Sequence, residues 1–321
     1  MSNKNLYTEN QSQEPVFKWG AATHVGNIRT SNQDKYGIAS NLLAVADGMG
    51  GHNGGEVAAE IAVNALTAAN DFQSINEFAY LVQMAHHLIQ ARAQENINLD
   101  GMGTTLCALS KINTQETSHR IGAVNVGDSR IYLYTYNELH QISIDHSLVQ
   151  ELVDGGQISE TEAKFHPHRN VITRSLGHQP IIQVDAWELD LIIGDRYLLC
   201  SDGLTNEISD AEIAEILSTK SDPQDAADQL IQSALSNQGL DNVTAIVADV
   251  ISGKEKRHSA NIQFEVQTLS PEEDEKFTEA MRTSDEKSSN LLKSLFKDRK
   301  STRLNSSHRC ISYAVFCLKK K

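Results

Sequence analysis

Two periods of hydrophobicity divide this chain. Short runs rich in Val, Ile, Tyr and Leu predict β-strands: VFKWGAATHVG, LLAVADG, TTLCALS, HRIGAVNVGDSRIYLYT, QVDAWELD, DRYLLCSDG and VTAIVADVI. GGEVAAEIAVNALTAAN and SINEFAYLVQMAHHLIQARAQEN instead repeat their apolar residues at helical spacing. The second opens with Ser74 and Glu77 at capping-box spacing, which predicts a helix start. A further helical pair, SDAEIAEILST and DPQDAADQLIQSALSNQ, follows the strand that ends at Cys200, with Pro223 in a first helical turn. Consecutive strands with segregated helices predict an α+β layered body, not the alternating βαβ of a doubly wound sheet.

Beyond Ile251 this patterning fades. Residues 252–290 are polar and charged, with NIQFEVQTL as one candidate strand, and the closing STRLNSSHRCISYAVFCLKKK fits nothing before it. The expected organisation is a disordered segment over 1–15, one domain over 16–251, and a polar, partly disordered tail over 252–321. The end of that tail reads either as a membrane-surface or partner motif or as a non-native end. Charge divides the same way: the net is −14, with 13 basic and 32 acidic residues over 1–253 against 15 and 10 in the remainder. Such an acidic body argues against nucleic-acid backbones as partners. No run is long enough to span a bilayer and the N-terminus has no apolar signal core, so a soluble, cytoplasmic, monomeric protein with no membrane partner is expected. Of the four cysteines, Cys107 and Cys200 lie in apolar runs while Cys310 and Cys317 lie in the tail, and no CxxC pair exists. Buried free thiols are expected.

Chemistry first suggests itself in LLAVADGMGGHNGGEVAAE, where a predicted strand meets Asp47, a burst of glycines and a helix. That layout suits a phosphate-binding turn, because glycine lets backbone approach a ligand and a helix N-terminus favours anions. It lacks the Gly-Lys-Ser/Thr of a P-loop and the third glycine of a dinucleotide fingerprint, so a plain tight turn stays open as a reading. Asp-Gly pairs recur, however, at predicted strand ends: Asp47-Gly48, Asp202-Gly203 and, reversed, Gly127-Asp128. Asp34 and Asp241 fall in loops beside strands. Each acid alone reads as a turn or cap residue. Together they offer short-stemmed oxygen donors beside pliable backbone, which suits Mg2+ or Mn2+. His166 and His168 flank Pro167 on an expected surface segment, and His86-His87 reads as a surface or boundary pair in mid-helix.

The blocks GNIRTSNQD, VADGMGGHNGGEVAAE, GTTL, NVGDSRIY, DHSLVQELVDGGQISETEA, HPHRNVITRSLG, LLCSDGLTNEIS and DNVTAIV occur in an order that resembles the PPM family, the metal-dependent (type 2C) protein serine/threonine phosphatases, in its bacterial branch. The resemblance covers about residues 17–251. It implies a four-layer α-β-β-α sandwich, two central antiparallel β-sheets flanked by helix pairs, and a flap over about 145–177. It implies two divalent metals, with Asp47 bridging them, the Gly48 carbonyl, Asp202 and Asp241 completing the ligands, and Asp34 acting mainly through water. Asp128 with Asp202 resembles the ligands of a third metal, and Arg29 matches the arginine that grips the substrate phosphate. His52 is the nearest imidazole and is assigned either as leaving-group acid or to hydrogen bonding within its loop. Gln33 departs from the Glu of many members, and Met49 from the His of some eukaryotic ones.

On this resemblance the chain is expected to hydrolyse phosphoserine and phosphothreonine in phosphoproteins and to oppose a bacterial serine/threonine kinase. Two rival readings are a catalytically silent phosphoprotein scaffold and a nucleotide-binding module built on the glycine loop. Metal-dependent turnover separates both from the phosphatase.

Overall fold

The computed structural model describes residues 15–51, 53–69, 72–113, 120–256 and 263–270. The expectations for His52, for residues 1–14 and for most of the tail, including Cys310 and Cys317, lie outside the described residues. The first half holds strands β1 (Phe17–His24), β2 (Lys35–Ala39), β3 (Leu42–Ala46) and β4 (Gly48–Met49), then helices α1 (Gly54–Thr67) and α2 (Ile75–Glu95). Five strands follow: β5 (Gly103–Thr104), β6 (Leu106–Ile112), β7 (Arg120–Val126), β8 (Arg130–Thr135) and β9 (Glu138–Gln141). Short helices α3 (Leu148–Asp154) and α4 (Glu160–Lys164) lead to β10 (Val184–Asp190) and β11 (Arg196–Cys200). Helices α5 (Asp202–Thr205), α6 (Asp210–Thr219) and α7 (Pro223–Asn237) precede β12 (Val243–Val250) and β13 (Gln267–Leu269).

The strands form a five-stranded sheet in the order β1-β12-β11-β8-β9 and a six-stranded sheet in the order β13-β10-β7-β6-β3-β2, with β4-β5 as a separate pair. All these pairings are antiparallel, and β1 runs against β12 along its whole length, from Phe17 opposite Val250 to His24 opposite Val243. Just outside that pair, Ile251 N–H donates to the Val16 carbonyl at 2.9 Å.

Alternation within strands explains the layers. In β3, Leu43 and Val45 point into the space between the sheets, while Leu42, Ala44 and Ala46 face α1 and α2. β12 divides likewise, sending Ile246, Ala248 and Val250 between the sheets and Val243, Ala245 and Val247 toward α6 and α7. Strands buried on both faces lose the polar half of the alternation, which is why LLAVA and VTAIVADV read as continuous apolar runs. The sum is the expected four-layer α-β-β-α sandwich.

Where structure and sequence pattern part, the reasons are local. HRIGAVNVGDSRIYLYT is two strands, β7 in the six-stranded sheet and β8 in the five-stranded one, with the chain crossing between sheets at Gly127-Asp128. β2 and β9 were not foreseen because they are short edge strands with few fully buried positions, so they carry little apolar patterning. β13 lies beyond Ile251 within the candidate NIQFEVQTL strand and pairs with β10, so a piece of the polar tail joins the sheet. Ser74 caps α2 by accepting from Glu77 N–H at 3.2 Å, but the Glu77 carboxylate reaches back to the Gln73 N–H, one residue beyond a strict capping box. Pro223 opens α7 behind an Asp222 cap.

His86 corrects one expectation: it is fully buried, because Gly177 N–H donates to its Nδ1 at 2.9 Å and the 177–180 loop covers that helix face. Burial first, then the charge of His87, lowers its pKa to about 4. His168 is exposed and His166 is partly buried, and Cys107 and Cys200 are buried free thiols. Among the described residues no helix is long and apolar enough to cross a membrane.

Candidate active site

Strand register carries the five acids to one edge of the sandwich. Lys35 pairs with Ala46, so Asp34 before β2 and Asp47 after β3 leave the six-stranded sheet side by side. Cys200 pairs with both Ala245 and Arg130, so Asp202 after β11, Asp241 before β12 and Asp128 before β8 gather at the matching edge of the other sheet. The β7–β8 crossover thus delivers Asp128 to the place where both sheets end. That convergence is long-range and could not be read from spacing.

Asp47 is held by its backbone. Its N–H donates to Thr105 Oγ1 at 3.0 Å, and its carbonyl accepts from the Thr105 N–H at 2.9 Å and the Thr104 hydroxyl at 2.8 Å. Thr105 Oγ1 in turn lies 2.7 Å from Ser129 Oγ, linking the Asp47 strand end to the Asp128 turn. A Cβ on Gly48 would overlap the Gly55 carbonyl, and one on Gly55 would overlap Gly48. These two glycines therefore let the N-terminus of α1 press directly onto the backbone after Asp47.

Electrostatically the cluster is under strain of like charge. Asp47 has its pKa raised well above the carboxylate range, by burial first and then by repulsion from Asp34, Asp202, Asp128 and Asp241. Asp34 is pushed up to about 7, mainly by burial and against hydrogen bonds from Ser201 and Thr244 that favour the charged form. Asp128 and Asp202 are raised by burial and then by neighbouring acids. Asp47 and Asp202 still touch solvent at the surface, although dense protein surrounds them on their other sides.

Arg29 stands at the rim, its Nη2 2.7 Å from Asp241 Oδ2, with both side chains partly exposed. Its loop is tied down from the opposite strand: Asn242 accepts from Gln33 N–H at 2.8 Å and donates to the Val25 and Ser31 carbonyls at 2.9 Å each. Asn27 N–H adds a bond to the Gly239 carbonyl at 2.7 Å.

The donor set fits a hard divalent cation. One oxygen each of Asp34, Asp128 and Asp202 is buried without a hydrogen-bond partner, a costly arrangement for any carboxylate and one that a cation relieves. The second oxygens of Asp34 and Asp202 are engaged: Ser201 Oγ donates to Asp34 at 2.7 Å and Asn206 Nδ2 to Asp202 at 3.0 Å. Among the described residues no three or more acid, imidazole or thiol side chains stand close enough together to hold a metal ion as they are placed, and Asp241 is engaged by Arg29. Sequence reading missed Ser201, Thr105, Asn206 and Asn242, which hold the acids and the Arg29 loop; only their adjacency to the acid motifs hinted at them.

Comparison with known proteins gives the class. A family profile described as Protein phosphatase 2C matches residues 25–250, and the chain belongs to that family. Among curated relatives, the serine/threonine protein phosphatase PstP of Mycobacterium tuberculosis is 39% identical over 241 residues, 74% of this chain and 45% of that protein, so this chain spans about half the length of that relative. The serine/threonine phosphatase stp of Listeria innocua is 38% identical over 240 residues, 71% of this chain and 93% of that protein. A crystal structure of the M. tuberculosis phosphatase PstP/Ppp superposes with a TM-score of 0.69 at 39% identity, covering 74% of this chain and all of that one. A second structure, the catalytic domain of PstP in complex with two manganese ions, gives 0.67 at 38% identity, covering 74% of this chain and 99% of that one.

Proposed function

We propose that this chain is a Mg2+- or Mn2+-dependent protein phosphatase that hydrolyses phosphoserine and phosphothreonine in phosphoproteins, and that it opposes a serine/threonine kinase in the cytoplasm. The observation that carries the reading is the set of buried, partnerless oxygens on Asp34, Asp128 and Asp202, gathered around Asp47 within one loop of Arg29. Its relatives' names and the manganese complex of PstP support it.

Asp47, the Gly48 carbonyl, Asp202 and Asp241 would hold two cations, Asp34 would assist through water, and Asp128 with Asp202 would hold a third. Bound there, divalent cations supply a water nucleophile of lowered pKa and neutralise charge on the phosphate oxygens. The chain's own part is positional. Ser201 and Thr105 keep Asp34 and Asp47 aimed by hydrogen bonds that do not depend on ligand. Arg29 carries a permanent planar fork suited to the non-reacting phosphate oxygens, and in exchanging Asp241 for phosphate it trades one anion for another. His52 is proposed either as leaving-group acid or as a hydrogen-bonding group within its loop.

Hydrolysis of p-nitrophenyl phosphate and of a phosphothreonine peptide, with and without Mn2+, tests the reading. Turnover that needs the metal and vanishes in Asp47→Ala and Asp202→Ala supports it. Phosphopeptide binding without turnover would instead identify a silent scaffold.

A further inference from the structure

Residues 145–177 leave and rejoin the body through a hydrogen-bonded neck. His146 N–H donates to the Gly127 carbonyl at 3.0 Å, and the His146 carbonyl accepts from Thr173 N–H at 2.9 Å. Beyond it, Ser147 pairs with Ile172 and Leu148 N–H donates to the Val171 carbonyl. Each side of the neck also sends a side chain to one buried acceptor on β10. His146 Nε2 lies 3.0 Å from Asp185 Oδ2, and Arg174 Nη1 donates to Asp185 Oδ1 at 2.8 Å. A third donor, the Thr268 hydroxyl of β13, reaches the same Oδ1 at 3.0 Å from outside the residues that match the family.

The tautomer of His146 follows from its other nitrogen. Gly127 N–H donates to Nδ1 at 2.9 Å, so Nδ1 offers a lone pair and the proton of the neutral ring sits on Nε2, facing Asp185. The ring is thus a fixed strut from Asp185 to the amide immediately before Asp128. That turn needs such a strut: Gly127 has φ of 108°, in the left-handed region, and has no side chain with which to anchor itself. Asn125 gives a second hold, donating to the Gly127 carbonyl at 3.1 Å.

We propose that Asp185 is a positioning residue, fixing the neck of segment 145–177 through His146 and Arg174 and the Asp128 turn through His146, with Thr268 of the tail completing its donors. The effect on cation binding rests on the assignment of Asp128 above; the hold on the neck does not.

The test is Asp185→Asn in the full chain. Asparagine keeps the size and one acceptor oxygen, but its NH2 faces the Nε2–H of His146. Relief by a tautomer change would set an Nδ1–H against the Gly127 N–H. Amide hydrogen exchange at His146, Leu148 and Thr173 is expected to accelerate about tenfold or more, while amides of the β11–β12 pairing stay protected. Long-range 1H–15N spectra should find the His146 proton on Nε2 in the wild type and disturbed in the variant. Manganese titration by electron paramagnetic resonance should find the weakest ion bound roughly tenfold or more weaker, the size expected when a residue supporting a ligand is lost. Thr268→Val should move all three readouts in the same direction by less. Unchanged exchange at the neck, acceleration spread evenly over the molecule, or a wild-type proton on Nδ1 would each overturn the proposal, and unchanged manganese affinity beside accelerated exchange would overturn its extension to cation binding at the Asp128 turn. An inactive wild type would remove the phosphatase reading, and the exchange and ring spectra would still decide the role of Asp185.

Discussion

Asp34, Asp47, Asp128 and Asp202 hold protons that the unfolded chain gives up, because burial and mutual repulsion disfavour their charged forms. For Asp34 the window runs from the ordinary 3.8 to about 7. Across it the folded state binds more protons than the unfolded state, so the acid's contribution to stability falls as pH rises. With metal chelated, the melting temperature should therefore fall between pH 5 and 7.5 by more in the wild type than in Asp34→Asn. Manganese should raise the melting temperature more at pH 7.5 than at pH 5, since at the lower pH protons compete with it. Asp47→Asn should abolish turnover yet raise the melting point of the chelated protein by about 2–4 °C, what roughly 1 kcal/mol of relieved repulsion gives in a domain of this size. A lower melting point would mean that Asp47 stabilises the fold. Arg29→Ala should cut kcat/KM by roughly ten- to a hundredfold, the worth of lost hydrogen bonds to a charged group, with Arg29→Lys recovering only part because it lacks the fork. Steady-state kinetics at saturating manganese decide it.

Elements carry those residues, and their junctions are the sensitive points. A Cβ on Gly203 would overlap the Asn242 carbonyl, just where α5 lies against the start of β12. Gly203→Ala should cost about 1–3 kcal/mol by overpacking and, because Asp202 and Asn242 adjoin the clash, lose more activity than stability alone accounts for. Urea unfolding set beside kcat checks it; an unchanged denaturation midpoint would show that the junction yields freely. The element scale is also where sequence was most and least informative. α2 and α7 were legible because Ser74 and Pro223 announce their starts in local chemistry. β2 and β9 were not, since an edge strand owes its structure to the neighbour it pairs with. The Gly127-Asp128 break was legible as a strand end but not as a change of sheet, because β7 and β8 are both well buried and carry the same apolar character.

At the scale of the molecule, the acids were legible as residues while their convergence was not. Asp34 and Asp202 stand 168 positions apart in sequence, yet the hydroxyl of Ser201, next to Asp202, bonds Asp34. Only the order of sheets brings them together; the resemblance to a family implied a shared metal site, and periodicity gave no sign of the order that builds it. The supporting polar residues stayed unread for the same reason: Thr105, Ser129 and Asn242 acquire meaning only from partners on other strands.

The pairing of β1 with β12 has a consequence for the birth of the protein. Among the described residues, β1, the first strand to leave a ribosome, has only β12 as its hydrogen-bonded strand neighbour, Phe17 waiting for Val250. Until nearly the whole domain has been synthesised, β1 exposes an unmatched row of backbone groups and the five-stranded sheet cannot close. Such distant closure makes folding slow and leaves nascent intermediates prone to association. It also sets the two ends of the domain side by side, so that a segment tethered before Val16 and one tethered after Ile251 begin their paths from the same corner of the molecule.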